Sequence, residues 1–155
     1  MKAKIFFILM LLVAGLISCD NNGIKAEDED STVFSYHRWG GGFGVDENLK
    51  ITKDYTFYSI QFSSPFMADE NYSDKIATSP ELWNTLLKSF DLETFNKIQS
   101  GKSEVPIDGV DVAFTVTIEG KEYSFFNGYD DKNYKKMQKF FDTILESVSE
   151  FSNNK

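Results

Sequence analysis

Cysteine, histidine, proline and net positive charge are all scarce in this chain. Its 155 residues include one Cys, one His and three Pro. A single thiol closes no intrachain disulfide, so stability must come from packing. Twenty-four acids against sixteen Lys and Arg give a net charge of −8, a field that repels nucleic acid and anionic membrane surfaces. Long apolar runs are missing too. The longest, residues 5–17, is about a dozen residues and is interrupted by Gly15, short of the ~20 that span hydrocarbon. What the chain has in quantity is aromatic side chains, with fifteen Phe, seven Tyr and two Trp to fill a core.

The apolar run follows a basic start, Lys2 and Lys4, and leads into Leu16-Ile17-Ser18-Cys19. A short apolar segment ending in a small residue is the pattern of an export signal removed by a peptidase. The four residues resemble the lipobox of bacterial lipoproteins. That resemblance implies that residues 1–18 are a signal peptide. It also implies that Cys19 becomes the N-terminus and carries diacylglyceryl and palmitoyl chains, which hold the protein to the membrane. A plain secretory signal and an uncleaved anchor are the alternatives. Removal of residues 1–18 takes away two lysines and no acid, so the mature charge is −10. Residues 19–31 read as an acidic tether, with Glu27-Asp28-Glu29-Asp30 a run of like charges. Acids soon after the lipidated Cys resemble the surface-export signals of Bacteroidetes lipoproteins, which implies the outer membrane or cell surface. A solvated spacer is the plainer reading.

Residues 32–155 read as one domain. Strands are expected at residues 32–39, at 49–52, and at 55–62, where Thr56, Tyr58, Ile60 and Phe62 share a face. Residues 64–78 read as a long loop with a short strand around 75–78. Ser79-Pro80-Glu81 is a helix start, with a hydroxyl cap, Pro at the first helical position and an acid in the first turn. That helix runs to about Phe90, and Asp91 caps a second, stopped by Gly101. Residues 110–118 alternate cleanly, and Glu119-Gly120-Lys121-Glu122 reads as a hairpin turn with Gly in the first central position. Asp130 or Asp131 caps a last helix with an apolar stripe from Tyr134 to Phe151. The order predicts an α+β fold: a single antiparallel sheet of about four to six strands, with a mid-chain helix and a C-terminal helix packed on one face.

The search for chemistry yields little. Ser35 and His37 share a strand face, but no acid stands nearby in sequence to orient the imidazole. With Cys19 acylated, His37 and carboxylates are the only metal donors, which argues against zinc. Asp69-Glu70-Asn71 and Asp130-Asp131-Lys132-Asn133 lack the Gly and Glu positions of a calcium loop. No catalytic residues, metal or cofactor are therefore expected, and the protein reads as a non-enzyme. The remaining candidate is Arg38, Trp39, Gly40, Gly41, Gly42 and Phe43. No helix or Lys-Ser/Thr pair follows these glycines, which speaks against a phosphate cradle. Arg and aromatics around a loop of little bulk are what interface centres favour, whereas Trp39 and Phe43 could instead plug the end of the sheet.

Those residues, the Pro80-Glu81-Leu82-Trp83 helix leading into residues 86–95, the Asp-led strand at 108–118, a Gly turn and a terminal helix together resemble emfourin. Emfourin is a family of small bacterial inhibitors of thermolysin-like metalloproteases such as protealysin. The likeness covers residues 32–149 and departs at residues 64–78 and in the lipobox. It implies a protein-binding module, with a protease as partner. An immunity protein acting on a toxin, an accessory subunit of an envelope complex and, last, a small-ligand carrier are the other readings.

Overall fold

The computed structural model describes residues 24, 25 and 27–153. Six strands, β1 (Val33–Gly40), β2 (Val45–Ile51), β3 (Tyr55–Phe62), β4 (Tyr72–Ala77), β5 (Val110–Ile118) and β6 (Lys121–Phe126), form one sheet. The helices are α1 (Pro80–Ser89), α2 (Leu92–Phe95), α3 (Lys132–Lys136) and α4 (Gln138–Asn153). The sheet order is β4-β3-β2-β1-β5-β6, and every neighbouring pair is antiparallel. Three strands, β2 to β4, thus meander away from β1, and the chain returns through α1 and α2 to add a hairpin on β1's other side. This is the predicted α+β architecture.

Alternation decides which face the helices cover. Phe34 and Tyr36 of β1, Leu49 and Ile51 of β2, Tyr58 and Ile60 of β3, and Phe114 and Val116 of β5 are buried together with α1 and α4. Phe34 is the hub, with ring centroids 5.5, 5.6 and 5.3 Å from Trp83, Phe90 and Phe140. Tyr134 stacks on Phe141 at 4.1 Å. Such pairs each add about 0.5–1.5 kcal/mol beyond the area they bury. The other, open face carries Ser35, His37, Trp39, Phe57 and Thr115, all half-buried.

The caps are where the side chains require them. Ser79 accepts from the Leu82 amide, Asp91 from Thr94 and Asp131 from Asn133. Several boundaries differ from expectation. β2 begins at Val45, because its apolar alternation is interrupted by the buried Glu47. Residues 64–78 hold a 3-10 turn, Pro65–Glu70, and the edge strand β4, whose exposure on both faces leaves no alternation to read. α2 ends at Phe95, well before Gly101. Ile118 pairs with Lys121, so the hairpin's central residues are Glu119 and Gly120 with φ of 51° and 77°. Gly therefore occupies the second central position, as a type I′ turn requires. The last helix is two segments separated at Met137, and Phe140 and Phe141 of α4 are both buried in the core.

The acid run is seated on the sheet end. Glu29–Ser31 is a 3-10 turn, and Lys53 Nζ lies 2.6 Å from Asp30 and 4.0 Å from Glu29. The Thr32 hydroxyl donates to the Asp28 carbonyl at 2.8 Å, and the Glu119 amide donates to the Ser31 hydroxyl at 3.3 Å. Ile24 packs against the core. The chain therefore enters the domain beside the β5–β6 turn, at the end of β1 opposite the glycines.

Candidate functional site

Gly41-Gly42-Phe43-Gly44 closes the β1–β2 hairpin, with the Gly44 amide donating to the Gly41 carbonyl at 2.9 Å. Two glycines flanking this closure, Gly40 at the end of β1 and Gly44, are there for space. A Cβ on Gly44, whose φ is +61°, would meet Ser63 Oγ at 1.8 Å; one on Gly40, at φ +108°, would meet the Gly109 carbonyl oxygen at 2.7 Å. The turn is held on both flanks: the Ser63 and Ser64 amides donate to Gly44 and Phe43 carbonyls, and the Gly41 amide to the Gly109 carbonyl. The glycines thus let three loops close on one another, and what the turn presents is Phe43. That ring is 58% exposed and plugs nothing.

The six candidate residues part across the sheet. Trp39 lies on the open face, stacked on His37 at 4.7 Å. Arg38 lies on the helix face, where its Nε donates to Glu47 Oε2 at 2.6 Å. Glu47 is buried and takes two further hydrogen bonds, from Tyr58 Oη at 2.6 Å and Tyr36 Oη at 3.3 Å. The charge of one carboxylate is thereby shared among three donors, the condition for burying it. Burial and the Glu47 charge raise Tyr36 above the ordinary tyrosine range. Burial, with the hydrogen bond to Glu47, pushes Tyr58 up to about 12. For Arg38 burial acts downward, but the Glu47 hydrogen bond and charge outweigh it and raise the guanidinium further. Arg38 is therefore a fixed cation clamped in place. It forms one wall of an apolar recess of about 180 Å³ lined with Gly40, Phe43, Val45, Phe62 and Val110. A wider cleft of about 380 Å³ opens on the Trp39 side, against Asp46, Gln61 and Ser63.

Glu47 was not legible as Arg38's partner, since it sits nine positions away on another strand. The pairing Arg38↔Glu47 in the β1–β2 register makes the link. Asp111 was missed for the same reason, being expected on the solvent face. It is buried: its carboxylate accepts from Ser103 Oγ at 2.6 Å, the Glu104 amide at 2.7 Å and Asn127 Nδ2 at 2.7 Å. Burial acts to raise its pKa, yet these hydrogen bonds win and hold it below the usual carboxylate value. Asp111 pins the arm of residues 103–109 beside the glycine turn. The acid that sequence placed nowhere near His37 is Asp46, 3.1 Å from Nε2 and also bound by Asn48 Nδ2. Ser35 makes no hydrogen bond to His37, so the strand face does not assemble a nucleophile–base pair. Cys19 lies outside the described residues. No family model and no curated protein matches the sequence.

Proposed function

We propose that this protein is a lipid-anchored envelope protein whose domain binds another protein through the glycine-turn end of its sheet. The observation that carries this is Phe43. A phenyl ring held out in solvent on a turn clamped from both sides, next to an apolar recess with a fixed Arg38, is a preorganised contact. The point of chain entry supports the same reading. Ile24 is packed on the domain and stands five residues after Cys19, a separation that even a fully extended chain spans by at most about 17 Å. Lipid on Cys19 then holds the β5–β6 turn toward the membrane. The glycine turn is displayed at the far end of β1, roughly 25 Å away. Confinement near the membrane raises the effective concentration for a partner there.

Inhibition of a thermolysin-like metalloprotease is the concrete form, following the emfourin resemblance; neutralisation of a toxin is its near relative. The test is an affinity pull-down of the tagged full-length protein from crosslinked host cells, with mass spectrometry of what is retained. One secreted protease or toxin, inhibited near stoichiometrically by the purified domain, is the expected result. A set of envelope proteins in fixed ratio would instead make this an accessory subunit. No loss of activity across a panel of thermolysin-like enzymes would remove the inhibitor form.

A further inference from the structure

Large apolar side chains in solvent are rare enough on a soluble domain that their clustering marks a contact surface. Among the described residues six stand markedly exposed: Phe43, Phe66, Ile76, Val105, Ile107 and Tyr129. Five belong to one end of the sheet. Phe43 is in the β1–β2 turn. Phe66 follows Phe62, which closes β3 opposite Val45, and Ser64 is bonded to Phe43's carbonyl. Val105 and Ile107 are on the arm that Asp111 pins, with a Val105 methyl against Gly40. Tyr129 follows β6 at the same end; burial pushes its hydroxyl up to about 12, and it feels the charges of both Arg38 and Glu104. Phe66 and Ile107, at 91% and 82%, contribute almost nothing to the core. Toward the opposite end, with residues 27–31, 52–54 and 119–120, stands the sixth alone: Ile76, one residue before the end of β4.

The four loops stand in sheet order, from β3 across β2, β1 and β5 to β6. At about 4.8 Å per strand that spans about 20 Å, the scale of a standard protein contact. Their charge is one-sided. Residues 41–44, 63–71, 102–109 and 127–131 carry six acids and one lysine. Asp108 is immediate to the turn, its carboxylate 3.2 Å from where a Cβ of Gly42 would stand. Arg38 adds no free positive charge, being paired with Glu47.

We infer that Phe43, Phe66, Val105, Ile107 and Tyr129 form one apolar contact surface rimmed by Asp69, Glu104, Asp108 and Asp130, and that its occupant is a folded protein presenting basic side chains around an apolar patch. This rests on the protein-binding reading above and adds to it the extent of the surface and the charge of the partner. The acidic rim steers a cationic partner and discriminates against acidic ones, while the apolar centre holds it.

The test is site-specific photo-crosslinking in host cells of the full chain, with a photoreactive residue at position 43, 66 or 107, and at Phe57 on the open sheet face for comparison. The three end positions are expected to trap the same protein, with a basic contact surface, and Phe57 to trap none. Asp108→Lys with Glu104→Lys, exposed changes checked for an unaltered thermal midpoint, should reduce the yield at least fivefold. Affinity of the purified pair should fall steeply between 50 and 500 mM NaCl. A partner trapped only from Phe57 would overturn the inference and leave the protein-binding reading standing. A partner trapped at the end loops but indifferent to salt and charge reversal would overturn the basic assignment. Silence at every position would overturn both.

Discussion

Removing the charge of Glu47 tests whether the buried carboxylate holds Arg38 in place. Glu47→Gln preserves volume but leaves one oxygen where two accepted from Arg38, Tyr58 and Tyr36. An arginine Nε cannot turn round to accept, so the amide nitrogen either faces it or faces the tyrosines. Breaking a fully buried pair costs about 3–5 kcal/mol. Arg38 is about one-third exposed, so water replaces part of what it loses. The expected loss is then about 2–3 kcal/mol, or roughly a 10 °C fall in Tm for a domain of this size. Arg38→Met should cost less, about 1–2 kcal/mol, because Glu47 keeps both tyrosine donors. The double variant should be little worse than Glu47→Gln alone, since each single change leaves the other's partner stranded. Urea unfolding followed by far-ultraviolet circular dichroism gives all three values. Additivity within about 0.5 kcal/mol, or a Glu47→Gln variant as stable as the parent, would refute the clamp.

Other outcomes follow from the same geometry. Tyr58 and Tyr129 should ionise near pH 12 by tyrosinate absorbance, above the ordinary value of 10. Because the folded state holds these protons more tightly, their stabilisation is complete below pH 10 and is lost as pH rises toward 12, so alkaline unfolding should fall in that window, and the loss should be shallower in Tyr58→Phe, which has one such proton fewer to release. Asp111 behaves oppositely: its depressed pKa stabilises the fold above the ordinary carboxylate value and fades as pH falls through the folded one, so hydrogen exchange in residues 103–109 should quicken in acid before the core opens. Asp111→Ala should show that quickening at neutral pH. Gly44→Ala meets both a positive φ and Ser63, and should lower stability by at least about 1 kcal/mol in thermal unfolding, partly restored by Ser63→Gly.

Strands buried on one face were legible because alternation is a local property: Tyr55–Phe62 and Val110–Ile118 could be placed from their own residues. Helix starts were legible through Ser79, Asp91 and Asp131, whose caps act within three residues. What depended on partners from elsewhere was not. β4 is an edge strand with polar residues on both faces. Glu47 and Asp111 look like surface acids until Arg38, Tyr58, Ser103 and Asn127 arrive around them. The run of acids before β1 gave no hint of Lys53 across the sheet end. Of the glycine-turn end, the glycine cluster and Phe43 were visible in sequence. Phe66 and Ile107 were not, although each stands beside a loop proline with no apolar period to join, the signature of a side chain the core does not need.

The most direct test of a binding surface at the glycine-turn end is the affinity of the retained partner for the parent protein and for Phe43→Asp, with Tm measured alongside. Phe43 touches solvent, so the fold should be indifferent and Tm should change by no more than about 2 °C. A central aromatic contact is worth about 2 kcal/mol or more, so the variant should bind at least about thirtyfold more weakly. Equal affinity in the two proteins would contradict the account and place the partner on another face.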